Sequence, residues 1–394
     1  MTTIGVARFP EKHACRVAAC AALSGRIAQL ATSHPLLLFA LATGYGPLEA
    51  RQETIRRAEL GRPLRDVCGL LQIPYALRHV PPEILTEPIM PARLSERSAQ
   101  IVAARIARQE EAWGKEQTLR AAFYGTRICG EDFGMWLSDP QRVSWLPRRL
   151  SAVRALALFA WCSGQQNLLP ESVWRRRWSA HMTWRSAVAQ TRVWIDHLKF
   201  YLYFDATPIA NPWAEAASVD GFEIVPLCRF GDLIGEVRDM ENCLYTYANR
   251  LAADSCRLFG VRRQGSKAGT VEVRLSGEGK LHVAQFRGPG NAQMGLDAWR
   301  AVLKWVERQP SVGDPGDGHE AERHERFASL AARYAAAVDL PRELRAASFN
   351  LHRLQADLLY LESLFDQGAA RTQDLPLRRT LQTLIRGEPE PAAL

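Results

Sequence analysis

Lysine is scarce in this sequence, long apolar runs are missing, and the cysteines are unpaired in spacing. Six lysines stand among 50 basic residues, so arginine carries nearly all of the positive charge. No stretch of about 18 uncharged apolar residues occurs, which excludes a predicted membrane-spanning helix. The densest apolar stretch, residues 152–162, is too short and is interrupted by Arg154. The start of the chain lacks a basic-then-apolar secretory layout, because Glu11, Lys12 and His13 precede a segment holding Arg16 and Arg26. A cytoplasmic protein with no membrane contact is expected. The eight cysteines contain no CxxC pair, which argues against a zinc knuckle or ribbon. Buried free thiols in a reducing compartment fit better. His282 stands alone and no two carboxylates sit at ligand spacing, so neither a metal nor a cofactor is expected.

What is present supports a full core. The chain has 394 residues, 47% of them hydrophobic, enough for two or three packed units. Its net charge is +8. That surplus suits a polyanion partner, reached through phosphate contacts. A GC-rich coding bias produces the same arginine excess, so charge alone decides little.

The first half reads as helices punctuated by proline and glycine. Within residues 14–79, Val17, Ala21, Leu23, Ile27 and Leu30 fall on one helical face, and Pro35 suits a first helical turn. Pro74, Pro81 and Pro82 break the later helices. Residues 83–95 read as an extended connection, residues 95–124 as one long helix, and residues 129–140 as a turn region. Residues 150–162 read as a buried helix. No fixed repeat period appears, so no solenoid is expected.

Residues 173–204 place Trp174, Trp178 and Trp184 among Arg175, Arg176, Arg177 and Arg185. Such interleaving suits nucleic acid, with guanidinium groups on phosphates and indoles stacking on bases. An amphipathic helix gives the same pattern, since Trp174 and Trp178 are spaced i, i+4. The spacing favours packing for the tryptophans and leaves the arginines as a polyanion patch. Trp194, Leu198, Leu202 and Phe204 read as core.

Residues 205–222 are loop-like, and residues 222–228 alternate as a strand or a lead-in to one. Residues 240–253 have helical spacing, with Cys243, Leu244, Tyr247 and Leu251 on one face. Residues 256–263 read as a short strand. Val271, Val273 and Leu275 alternate against Thr270, Glu272 and Arg274 in a clean strand. The SGEG segment at 276–279 signals a hairpin. In the returning strand, Leu281, Val283 and Gln285 form one face and His282, Ala284 and Phe286 the other. A closing helix carries Trp299, Val302, Leu303 and Val306 as its apolar stripe. The unit is a meander sheet covered by helices on one face.

These residues also carry a resemblance. M-x-x-C-L-x-x-Y at 240–247, then ANRLAADSCRLFGVR, then T-V-E-V, then Q-F-R-G-P-x-N at 285–291 resemble the PcfJ-like protein family. That family is associated with conjugative plasmids and other bacterial mobile elements. Its pattern reads M-x-H-C-V-x-x-Y, a basic strand, a T-L-E-I strand and Q-x-R-G-x-x-N. The match covers residues 240–305, with weaker echoes in the helical first half. The family histidine is Asn242 here, and asparagine exchanges no proton near neutral pH.

The expected fold is α+β and predominantly α-helical. It comprises a helical domain over 1–220, a PcfJ-like α+β core over 221–309, a flexible linker over 310–319 and C-terminal helices over 320–394. In that last part Leu351, Leu354, Leu358, Leu361 and Phe365 recur at heptad-like intervals. They pack on the chain's own helical half, on a partner helix or on a second copy of the chain.

Three functions follow. The first is a DNA- or RNA-associated accessory factor of a mobile element, with Arg175, Arg176, Arg177, Arg185, Arg262, Arg274 and Gln285 on nucleic acid. The second is an enzyme whose cleft gathers Cys243, Tyr247, Arg287 and Asn291, with Cys243 as nucleophile beside Arg287. The third is a scaffold acting through the C-terminal helices. Against the enzyme stands the commoner role of a cysteine on an apolar helix face, which is core. Gln285 and Asn291 also serve simply to satisfy turn backbone, with Glu272 paired to Arg262 or Arg287.

Overall fold

Apolar clustering divides the described residues into three cores. A computed structural model describes residues 6–88, 92–143, 153–316, 319–338, 354–356 and 358–359. The fold is predominantly helical with one five-stranded antiparallel sheet.

The first core runs from Phe9 to Phe123. It is built by α1 (Glu11–Ala21), α2 (Gly25–Ser33), α3 (Pro35–Ala42), α4 (Leu48–Glu59), α5 (Leu64–Gly69) and α6 (Glu96–Arg108), with the start of α7 (Ala112–Cys129). Helix α3 is buried from Pro35 to Leu41 and sits at the centre, as a helix apolar on all sides must. His34 caps it, its Nδ1 accepting from the Leu37 amide at 3.3 Å. Burial lowers the His34 pKa to about 4, which keeps the ring neutral and able to accept that bond.

The long helix expected over 95–124 is two helices. Gln109 is extended and its side chain folds over Gly114, where an added Cβ would meet Oε1 at 2.8 Å. The expected turn region at 129–140 contains α8 (Glu131–Leu137), followed by α9 (Pro140–Val143). Helix α8 packs closely on α7 because a Cβ on Gly125 would fall 2.7 Å from the Gly134 Cα.

The second core joins α10 (Arg154–Gly164) and α11 (Trp184–Phe204) to α15 (Glu320–Ala337) and to Leu354 and Leu358. It also takes in Leu258 of the sheet, so it crosses the expected boundary near residue 220. Helix α11 starts at Thr183, whose Oγ1 accepts from the Ser186 amide at 3.2 Å. Residues 174–183 before it are not helical, which corrects the single helix expected over 173–204. The tryptophans of that stretch pack inward. Trp174 stacks on Trp194 at 5.8 Å between ring centroids, and Trp178 and Trp184 lie against Trp136.

The third core lies under the sheet, whose order is β1 (Ala217–Val219), β2 (Phe222–Pro226), β3 (Arg257–Arg263), β4 (Ser266–Leu275) and β5 (Leu281–Arg287). Helix α14 (Leu296–Glu307) closes one face, packing Trp305 on Phe259 at 4.7 Å. Its buried stripe is Ala298, Ala301, Val302 and Trp305, whereas Leu303 is 46% exposed. Helix α12 (Phe230–Met240), a 3-10 turn (Cys243–Tyr247) and α13 (Ala248–Ala252) stand against the opposite face. Helices therefore cover both faces, which accounts for the five consecutive buried residues that open β3.

Two further expectations change. The linker is docked through residue 316. The Val312 amide donates to the Gly279 carbonyl at 2.8 Å, and the Trp213 indole donates to the Pro315 carbonyl at 2.9 Å. Gly279 has φ +73, and a Cβ there would strike the Val312 oxygen at 2.4 Å. The buried Arg257 guanidinium also donates to Pro315, at 3.2 Å. The segment supplies carbonyls that buried donors need, a role its Gly-Pro-Asp composition conceals. In the C-terminal heptads, Leu354 and Leu358 are fully buried against the chain's own core, while Leu351, Leu361 and Phe365 lie outside the described residues.

Candidate functional site

The expected helix over 240–253 is interrupted, and the interruption makes the site. Helix α12 ends as Glu241 adopts a left-handed conformation, φ 47. Asn242 then caps the 3-10 turn, its Oδ1 accepting from the Leu244 amide at 3.2 Å. The Asn242 amide donates inward to Thr270 Oγ1 at 3.3 Å, and Thr270 donates onward to Glu236 at 2.7 Å. Lys267 neutralises the buried Glu236 at 3.2 Å. Residue 242 therefore anchors the turn on the sheet. It is no missing base for Cys243, because its side chain is committed to the interior. A histidine cap does the same at His34.

Turning the chain at Asn242 leaves Cys243 exposed. This overturns the expectation of a cysteine buried under the sheet. Its Sγ donates weakly to Asn291 Oδ1 at 3.8 Å. Asn291 holds φ 64 at the end of the loop after β5, a backbone conformation asparagine tolerates better than most residues.

A bulge brings β5 into the site. Glu272 pairs with Gln285, but Val273 pairs with Val283, so Ala284 is an extra residue. The bulge shifts the alternation by one. Leu281, Val283 and Phe286 share the α14 core, and Gln285 turns to the other side with Arg287. The face expected to hold Leu281, Val283 and Gln285 together is thereby corrected.

Asn242, Cys243, Leu244, Tyr247, Leu258, Thr270, Glu272, Gln285, Arg287 and Asn291 line one shallow, open recess with about 30 Å³ of interior space. Glu272, 3% exposed, is its most heavily bonded member. Arg250 binds Glu272 Oε1 closely, Arg274 binds the same oxygen at 2.7 Å, and Tyr247 donates to Oε2 at 2.9 Å. Burial raises the Glu272 pKa, but donation from Arg274, Tyr247 and Arg250 outweighs it and holds the carboxyl below its ordinary value. The same contacts act oppositely on Tyr247, where burial first, then the hydrogen bond to Glu272 and its charge, push the phenol up to about 12.

Tyr247 also lies 2.8 Å from the Gln285 amide. One hydroxyl proton cannot serve both neighbours, and the ionised carboxylate takes it. The Gln285 carboxamide oxygen faces the same hydroxyl, so two acceptors, one charged and one neutral, converge on the phenol. Among the described residues, no carboxylate pairs with Arg287, in contrast to Arg250 and Arg274.

The site expected at Cys243, Tyr247, Arg287 and Asn291 is thus gathered in one place, with Gln285 beside it. Arg262 does not line it, and Arg274 stands outside, committed to Glu272. Glu272 is paired to Arg250 and Arg274, not to Arg262 or Arg287. The arginine segment lies elsewhere. Arg175 and Arg176 are exposed, Arg177 pairs with Glu171 at 2.7 Å over the Trp174 ring, and Arg185 interacts within the chain. Sequence reasoning misses Arg250, although its position three residues after Tyr247 is a usable signal. No group of three His, Cys, Asp or Glu side chains suited to a metal ion occurs among the described residues, and no described helix is long and apolar enough to cross a membrane. No protein-family model, curated protein or solved structure matches this chain.

Proposed function

We propose that the protein is a PcfJ-like, nucleic-acid-associated accessory factor of a bacterial mobile element, acting in the cytoplasm, and that its specific contact is the Arg287 recess. One observation carries this reading. The motif residues Cys243, Tyr247, Gln285, Arg287 and Asn291 are spread over nearly fifty positions, yet they line one opening with a guanidinium that no carboxylate among the described residues pairs. A cation left without a carboxylate, beside a carboxylate saturated by three donors, favours an anionic group arriving from outside. The net charge of +8 adds general attraction for a polyanion. Arg175 and Arg176 supply exposed charge away from the recess, but the indoles beside them are packed and offer no stacking platform.

The reading is tested by fluorescence anisotropy with short single-stranded DNA and RNA over a salt series. Affinity is expected to fall steeply with salt and to drop with Arg287→Ala more than with the double change of Arg175 and Arg176 to Ser. Salt-independent or absent binding overturns it.

The exposed Cys243 thiol, lining the same recess as Arg287, favours a second reading as a thiol-dependent enzyme. That reading requires a covalent adduct at Cys243 with a substrate, detectable by intact mass. Activity unchanged in Cys243→Ser removes it.

A further inference from the structure

The sheet ends at β5, and most of that strand's outer edge is open. Strand β4 holds β5 on one side. On the other, Arg287 bridges to Gln293, and the Val312 amide binds Gly279 just before the strand begins. Between those two points, Leu281 to Phe286 meet no further strand among the described residues. The Ser276 amide donates to the Lys280 carbonyl at 2.8 Å. The alternation of an antiparallel ladder then turns the backbone groups of Leu281 and Val283 away from β4 and onto the open edge.

The two sides of this edge differ. Leu281 and Val283 face α14, and the Trp299 ring packs on Phe286 at 5.3 Å, which sets the Trp299 flank of α14 beside β5. Leu296 and Leu303 continue that flank and are 76% and 46% exposed. The charged flank of α14 turns the other way, where Asp297 pairs with Arg263 and Lys304 with Asp220. On the side away from α14, His282 is exposed beside the half-exposed Arg274, and Arg287 lies just past the open stretch. The neighbouring carboxylates are engaged: Glu272 is saturated, and Glu278 pairs with Lys280 at 3.0 Å.

Unpaired ladder groups, an apolar shelf on one side and basic groups on the other suit one kind of occupant. Residues of an added strand alternate between the two sides as those of β5 do. Apolar residues fit over Val283, Trp299 and Leu303, and acidic residues fit over His282 and Arg274. Two copies of β5 paired edge to edge would bring their basic sides together, on chains that each carry +8, so a second copy fits poorly. We infer that β5 accepts, by strand addition, an extended segment of a partner protein in which apolar and acidic residues alternate. The bulge at Ala284 breaks the regular ladder, so the segment is anchored on Leu281 and Val283. This surface lies outside the Arg287 recess and does not depend on nucleic-acid binding.

The test screens full-length protein against a displayed library of short random peptides, then titrates the selected peptides, fluorescently labelled, by anisotropy. Selected sequences are expected to alternate apolar and acidic residues. Replacing their acidic residues by lysine is expected to weaken binding at least about tenfold. Leu303→Glu changes an exposed side chain and puts a like charge on the apolar flank. It is expected to weaken binding about tenfold without moving the unfolding midpoint. Val283→Pro removes an amide that faces the open edge and is expected to abolish binding. If that variant fails to fold, Leu303→Glu still decides. Single-stranded DNA affinity is expected to persist in Leu303→Glu, so loss of the peptide site is read apart from loss of nucleic-acid binding. Selection of no common pattern, or of peptides indifferent to both Leu303→Glu and lysine replacement, overturns the inference. Dimers of the wild-type protein that Leu303→Glu dissolves would assign the edge to a second copy and overturn it as well.

Discussion

Tyr247 donates its hydroxyl proton to Glu272 across 2.9 Å, and that bond ties the turn carrying Cys243 to the sheet. Glu272→Gln removes the charge that helps hold the phenol up at about 12, so the Tyr247 pKa is expected to fall toward the ordinary tyrosine range. Ultraviolet difference titration reads this directly. A raised phenol pKa means that the native state holds its proton more tightly than the unfolded chain. Stability from this group is therefore complete below pH 10 and is lost as pH rises through about 12. Tyr247→Phe abolishes that loss and costs about 1–3 kcal/mol at neutral pH, because Glu272 is left short of one donor. Urea unfolding of the two proteins across alkaline pH checks both statements.

Cys243 and Cys15 are exposed, whereas Cys68, Cys162 and Cys256 are buried. Burial pushes the Cys68 and Cys256 thiols up to about 12, which leaves almost no thiolate there at neutral pH. Brief treatment of native protein with iodoacetamide is expected to label Cys243 and Cys15 and spare the other three, as read by peptide mass. Single-stranded oligonucleotide is expected to protect Cys243 and not Cys15. An unlabelled Cys243 in the free protein would mean a closed recess.

Part of the sheet is legible in the sequence because the residues of β4 alternate cleanly. Val271, Val273 and Leu275 share one face as their spacing requires, and Cys243, Tyr247, Arg287 and Asn291 converge on one recess. What escapes is set by partners distant in sequence. A bulge at Ala284 has no local signature, yet it decides which way Gln285 points. The break between Met240 and Cys243 follows from the Asn242 bond to Thr270, twenty-eight residues away. Periodicity carries Cys243 onto a buried face only if the helix continues, and it does not. The tryptophans near residue 178 reach the core, but through irregular chain, because Trp194 and Trp136 lie where they can be met.

The three adjacent arginines have different duties. Arg177 lies over the Trp174 ring at 4.7 Å, pairs with Glu171 and donates to the Ser163 carbonyl at 3.3 Å. Arg177→Ala is expected to lower stability by about 1 kcal/mol, because the indole face no longer carries a cation. Arg175→Ser and Arg176→Ser are expected to leave the unfolding midpoint unchanged. If either touches nucleic acid, its removal lowers the slope of log affinity against log salt by about 1 for each phosphate no longer neutralised. Unfolding curves and salt titrations on the single variants separate the two roles.

Asp196 offers the last test, on α11 where the C-terminal segment docks. Gln355 donates to Asp196 Oδ1 at 3.0 Å and accepts from Lys199 Nζ at 2.6 Å, so one amide bridges a buried acid and a buried amine. Burial raises the Asp196 pKa from 3.8 to about 6, and the charges of Lys199 and Arg192 offset only part of that. A raised carboxyl pKa means that the native state favours the protonated form. The contribution to stability is present below 3.8 and is lost as pH rises through about 6. Asp196→Asn keeps an acceptor for Gln355 and removes the buried charge. The variant is therefore expected to gain on the wild-type protein as pH rises from 3.8 to about 6 and to remain the more stable at pH 7. Urea midpoints of the two proteins along that series measure the gap. A gap that does not widen with pH would mean that Asp196 ionises in the fold without penalty and that the bridge through Gln355 already compensates its burial.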